Sequence, residues 1–158
     1  MDNEEVKVFG QALSRAMFYC SRAEHCPADV FDKLSQWQVP EELWDKIVAK
    51  LTEENFLSEE RFTRAYVLDK IRYNKWGKQK VAFQLRAKQI PRSAIDTAFL
   101  EIDDDEYRTI IQYELEKKCL ATKEPDSYKL KAKLVNFAAS RGYEIDLCNP
   151  IIDNLLTR

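Results

Sequence analysis

The feature that most constrains this chain is an internal repeat. Displacing the sequence by 51 residues lays Val30, Leu34, Val39, Pro40 and Asp45 on Val81, Leu85, Ile90, Pro91 and Asp96. A second displacement, by 53, lays Val81, Ile90 and Phe99 on Leu134, Tyr143 and Ile152, with Leu85 on Ala138. The long first segment of each unit aligns only with gaps. A unit of about 50 residues with this pattern is one supersecondary module, and such modules stack so that neighbours cover one another's apolar faces.

Each module reads as three helices. Leu43, Trp44, Ile47, Val48 and Leu51 recur at helical spacing. Pro40 and Pro91 stand at helix starts, where proline's missing N–H costs nothing. Ser58 with Glu59 and Glu60 reads as an N-cap and an acidic first turn, and Asp103 to Glu106 repeats the pattern. Gly77 and Gly142 fall where helices end, a place for left-handed backbone. The expected fold is all-α, an elongated, curved array of tandem three-helix repeats. Its helices are expected at about 5–24, 27–37, 40–54, 58–76, 78–89, 91–101, 104–121, 126–141 and 146–157. The expected division is an N-terminal tail or helix start over 1–10, then repeats over 11–57, 58–103 and 104–158.

Composition excludes several classes. Only three Gly and five Pro in 158 residues argue against a loop-rich β design. The four cysteines form no CxxC pair in a chain too long for a disulfide scaffold, so they read as reduced thiols of a cytoplasmic protein. The acidic start, MDNEEVKV, does not read as a signal peptide, and no run approaches a membrane span.

The net charge of -2 conceals segregation. Residues 1–60 carry six basic and thirteen acidic side chains, residues 61–92 ten and one, and residues 93–158 nine and thirteen. A basic middle between acidic flanks fits contact with something anionic. It equally fits a helix surface whose charges meet the flanks within the molecule. On a helix over 58–76, Phe62, Ala65, Tyr66, Tyr73 and Trp76 gather on one side, and Arg61, Arg64, Leu68, Arg72 and Lys75 on another. Phe62 and Tyr66 read as core, and Tyr73 and Trp76 as half-exposed. Asp69, among the aromatics, is expected to need a Tyr, Lys or Arg partner. The cationic stripe is mutually repulsive by a few tenths of a kcal/mol per neighbouring pair, and Lys78, Lys80, Arg86, Lys88 and Arg92 extend it.

Catalytic motifs are missing. WGKQK lacks the upstream Gly and following Ser or Thr of a phosphate loop. His25, the one histidine, stands near Cys20 and Cys26, which cannot complete a tetrahedral zinc site without distant ligands. Acid pairs such as Glu41 and Glu42 sit at helix starts. The chain is expected to be no enzyme and to carry no cofactor or metal.

Residues 54–91, ENFLSEERFTRAYVLDKIRYNKWGKQKVAFQLRAKQIP, resemble the central signature of the bacterial RecX family. The residues that carry it are Leu57, Arg61, Phe62, Tyr66 and Val67, then Gly77, Lys80, Val81, Leu85, Lys88 and Ile90. Residues 21–34 resemble the family's first-repeat pattern, with Cys26 where Ser is usual and Val30–Phe31 in place of Glu-Leu. Residues 137–152 resemble its third-repeat segment, with Ser140 in place of an Arg. Gln89 stands where many relatives have Gly. The resemblance implies a small non-enzymatic helical protein that binds the RecA filament on single-stranded DNA. It would restrain filament growth, ATP hydrolysis, strand exchange and co-protease activity.

By that reading the contact residues are Arg61, Arg64, Arg72, Lys75, Lys78, Lys80, Arg86 and Lys88, with Trp76 as an aromatic anchor. Phe62, Tyr66, Gly77, Val81, Leu85 and Ile90 keep the fold. The protein is expected to act as a cytoplasmic monomer, with direct DNA contact an option and no membrane partner. Two rivals stand beside it: a DNA-binding module acting alone, and a helical adaptor for another acidic protein.

Overall fold

Local signals place most helix starts in the computed structural model, which describes residues 1–158. Asp2 caps α1 (Asn3–Arg22) by accepting from the Glu5 N–H at 2.8 Å. Pro27 opens α2 (Pro27–Gln36), and a 3-10 turn at Glu41–Leu43 leads into α3 (Trp44–Glu53). Ser58 caps α4 (Glu59–Arg72) through the Arg61 N–H, as its sequence predicts. Then follow α5 (Lys78–Ala87), α6 (Arg92–Phe99), α7 (Asp104–Ala121), α8 (Ser127–Arg141) and α9 (Ile145–Leu156). There is no strand, and no helix is long and apolar enough to cross a membrane.

Helices pack chiefly within triplets: α1 to α3, α4 to α6, and α7 to α9. Val30, Val81 and Leu134 are fully buried at corresponding places, as are Leu34, Leu85 and Ala138. The turn after the second helix of each triplet repeats in atomic detail. Val39, Ile90 and Tyr143 donate their N–H groups to the carbonyls of Leu34, Leu85 and Ala138 at 3.0, 3.1 and 3.0 Å. The preceding residues, Gln38, Gln89 and Gly142, all have positive φ, at 59°, 67° and 85°. The repeat seen in the sequence is therefore a repeat of backbone conformation.

The apolar interior is divided. Nine buried residues of the first triplet, Leu34, Ile47 and Leu51 among them, form one core. Twenty others form a second core, nineteen of them from the last two triplets and one, Cys26, from the first. The solvent-accessible surface is 9849 Å². A compact monomer of 18.6 kDa would expose about 8,200 Å². The excess is what an interior divided into two cores, instead of gathered into one, produces.

The second and third triplets meet through two glycines. The Gly77 N–H donates to the Arg141 carbonyl at 2.6 Å, and the Gln79 N–H to the Gly142 carbonyl at 3.1 Å. A Cβ on Gly77 would overlap the Gly142 carbonyl, and one on Gly142 would overlap the Lys80 backbone. Gly142 is left-handed, as expected at a helix end. Gly77 is not: with φ -85° and ψ 165° it is extended, and close approach is what excludes a side chain there.

The fourth helix departs from its expected course. It stops at Arg72, with the Tyr73 N–H bonded to the Asp69 carbonyl, and Lys75 turns left-handed at φ 61°. Lys75 and Trp76 therefore do not continue the stripes of the helix. Its buried side is Phe62, Thr63, Val67 and Ile71, while Ala65 is exposed and Tyr66 half-buried. Asp69 is exposed and makes no ion pair, so the partner expected for it is not required. Two stripes at helical spacing compete in this segment. Packing against α6 and the shared core selects the aliphatic one.

Two substitutions follow from this geometry. Gly77→Ala keeps an allowed backbone but forces apart the two glycine segments, so it should lower the unfolding free energy by about 3 kcal/mol. Gln89→Gly removes left-handed strain and should raise it by about 1 kcal/mol, whereas Gln89→Ala should not. Urea titrations followed by circular dichroism measure both.

Candidate functional site

The basic segment divides into two sets once side chains are placed. In the first, cations reach to carboxylates of the flanking regions. The Arg61 Nε meets Glu24 at 2.9 Å, and its Nη2 donates to the Asn55 carbonyl at 3.0 Å. Arg64 lies 3.7 Å from Glu101. Arg72 donates through both Nε and Nη2 to Glu106, at 2.7 and 3.3 Å. The Lys88 ammonium meets Asp29 at 2.6 Å. Hydrogen bonding to Glu24 and Glu106 strengthens the basicity of Arg61 and Arg72. Of the two readings of segregated charge, pairing within the molecule accounts for these four residues.

The second set has no carboxylate partner within ion-pair distance. The Lys75 ammonium rests on the Arg72 carbonyl at 2.5 Å. Lys80 lies 4.5 Å from the centre of the Trp76 ring, with Lys70 near that ring at 5.1 Å. Trp76 is half-buried and has two ammonium groups within cation–π distance of its ring. Lys78 lies over Tyr107 at 4.7 Å and Phe99 at 5.6 Å. Arg86 is exposed on α5.

The loop that carries Lys75 to Gly77 is gripped by the third triplet. The Lys75 carbonyl accepts from the Tyr143 hydroxyl at 2.5 Å and from Arg141 at 3.4 Å. The Lys78 N–H donates to the Tyr107 hydroxyl at 2.9 Å, which in turn donates to Glu144 at 2.5 Å. Burial first, and then this bond to Glu144, push the Tyr107 hydroxyl far above its ordinary range, so it stays a donor at any physiological pH. The second set of cations is therefore displayed from a rigid support.

Expected fold-keeping residues lie where packing needs them. Phe62, Val81, Leu85 and Ile90 are buried, Gly77 makes the glycine contact, and Tyr66 packs at the margin of the core. His25 stacks on Tyr19 at 3.8 Å between ring centres and meets Asp29 at 3.3 Å, as a satisfied structural histidine does. Burial raises the Cys20 and Cys148 thiols to about 11, which makes them poor nucleophiles. No group of three or more His, Cys, Asp or Glu is placed to hold a metal ion.

Sequence reading missed Phe83, whose ring is 71 % exposed beside Arg86 and Arg92 in a cleft between α5 and α6. Its signal was an aromatic residue three before Arg86 on one helix, a spacing that shares a face.

Comparison with known proteins agrees with this architecture. The model described as "RecX, second three-helix domain" matches residues 58–98, and that of "RecX, third three-helix domain" matches residues 104–152. Regulatory protein RecX of Clostridium perfringens is 31 % identical over 163 residues, covering 98 % of this chain and 76 % of its own. That of Clostridium beijerinckii is 28 % identical over 130 residues, covering 81 % of this chain and 60 % of its own, so part of that relative has no counterpart here. A crystal structure of regulatory protein RecX superposes with a TM-score of 0.85 at 20 % identity, covering 97 % of this chain and 80 % of that one. At that identity the likeness is one of fold.

The junction between the first and second triplets generates a pH dependence. Burial acts to raise the Asp29 carboxyl, but hydrogen bonds from Lys88, the Cys26 N–H and His25 outweigh it and hold the group below its ordinary value of 3.8. A depressed carboxyl contributes stability that is present above its unfolded value and lost as pH falls through the folded one. Stability should therefore drop below about pH 4. Asp29→Asn should lose part of the neutral-pH stability, roughly 2 kcal/mol, and flatten that acid limb. Urea midpoints from pH 3 to pH 7 for both proteins provide the check.

Proposed function

The chain belongs to the RecX family of regulatory proteins, and from that premise we propose that it binds the filament a RecA recombinase forms on single-stranded DNA. In this reading it lies along the filament groove and restrains filament growth, ATP hydrolysis and strand exchange, as a cytoplasmic monomer without catalysis of its own. The observation that carries the reading, beside family membership, is the division of the basic segment. Lys75, Lys78, Lys80 and Arg86 have no carboxylate partner, while Arg61, Arg64, Arg72 and Lys88 are held by acidic neighbours. A groove lined by protein next to DNA phosphates suits a surface that alternates free cations with neutralised ones. Exposed ion pairs such as Arg64–Glu101 contribute little to stability, so they exchange readily for a stronger anionic partner.

The row of modules also supports this reading. A partner that touches adjacent filament subunits gains avidity for the assembled form over free subunits. The glycine-held loop keeps its cations at fixed spacing, so little ordering cost is added on binding.

RecA-catalysed ATP hydrolysis on single-stranded DNA, titrated with this protein, tests the reading. Fluorescence anisotropy of the same DNA without RecA runs beside it. Inhibition is expected at concentrations at least about tenfold below those that saturate naked DNA. Absent inhibition, or inhibition only where naked DNA is saturated, rejects the filament as target. Reversing Arg72 would break its bond to Glu106, so Lys80→Glu with Arg86→Glu is the cleaner charge reversal, expected to weaken inhibition about tenfold or more.

A further inference from the structure

The cleft between α5 and α6 is lined by Lys78, Phe83, Arg86, Arg92, Phe99 and Glu144, together with Gln79 and Ala82. Its chemistry is not that of a structural seam. The Phe83 ring is 71 % exposed and does not belong to the shared core. Arg86 follows on the same face of α5, is exposed and has no carboxylate partner. Arg92 opens α6 from the other wall, 3.0 Å from Asp96 in an exposed pair. The Lys78 ammonium lies over the Phe99 and Tyr107 rings, at 5.6 and 4.7 Å from their centres. Glu144, the single acid in the lining, accepts the Tyr107 hydroxyl through one carboxylate oxygen.

We infer that this cleft binds single-stranded nucleic acid directly, its phosphates held by Lys78, Arg86 and Arg92 and one base stacked on Phe83. The ring decides among anionic partners. A duplex keeps its bases stacked within itself, so it would meet the cations and leave Phe83 unused. An acidic peptide would likewise pair the cations and offer no flat face to the ring. An unpaired base has a π-face whatever its identity, and an aromatic ring beside cations is how sequence-tolerant strand binding is built. The inference rests on the regulatory reading only for the setting in which a strand is met; the contact itself needs no recombinase.

The test uses the full chain and a fluorescein-labelled oligo(dT) of about twenty nucleotides, followed by anisotropy without RecA. Phe83→Ala is expected to weaken binding about tenfold at constant salt. Arg86→Glu is expected to reduce the slope of log affinity against log salt by about one phosphate contact. Both side chains are exposed, so circular dichroism should match the parent. Tyr128→Ala, which removes an 85 % exposed ring elsewhere, should leave binding unchanged. Absence of oligo(dT) binding, or binding that ignores both cleft variants, overturns the proposal. So does displacement by oligo-glutamate or duplex DNA as effective as displacement by unlabelled oligo(dT). The ATP hydrolysis assay judges the filament reading separately, since it is read with RecA present.

Discussion

Two glycines set the spacing on which the displayed surface depends. Where the second triplet meets the third, the backbones of Gly77 and Gly142 approach until neither position has room for a Cβ. That approach lets Gly77 and Gln79 donate N–H groups to carbonyls at the end of α8. The first turn of α5 thereby finds partners for donors that a helix start leaves unpaired. Tyr107 and Tyr143 close the same junction, each with its hydroxyl bonded across it. Trp76, Lys78 and Lys80 project from this support. Their positions follow from the glycine contact more than from the helix that precedes them.

The other junction is built differently. The first triplet has its own apolar interior, and Cys26 is its one buried residue that joins the larger core. Charged contacts supply much of the rest: Glu24 with Arg61, and Asp29 with Lys88. A junction of ion pairs is sensitive to salt and pH in a way that a packed apolar seam is not. The same contacts neutralise part of the basic segment. Acidic flanks thus do two jobs, joining the repeats and selecting which cations remain for a partner.

Much of this was legible in the chain. Val-Pro and Ile-Pro at corresponding positions marked two copies of one turn, and the structure shows that turn three times with the same hydrogen bonds. Ser58 and Asp2 act through short-range chemistry, and such caps are local enough to read from neighbours. The face of α4 was harder. Phe62, Tyr66 and Tyr73 offer one apolar stripe, and Phe62, Val67 and Ile71 another. Only contact with the second core distinguishes them, leaving Tyr73 78 % exposed. The pairing of Arg72 with Glu106 and of Lys88 with Asp29 joins residues far apart in sequence, so no window of neighbours contains it.

The sequence by itself determined the all-helical class, the repeat and the concentration of positive charge in the middle unit. Those properties arise from periodicity, proline and glycine placement and local composition, each confined to a few turns of chain. The tertiary structure alone decided which cations are paired and which are displayed, and why Gly77 must be glycine. Each of those outcomes depends on the distance between segments that only folding brings together, and electrostatic and steric energies are functions of that distance.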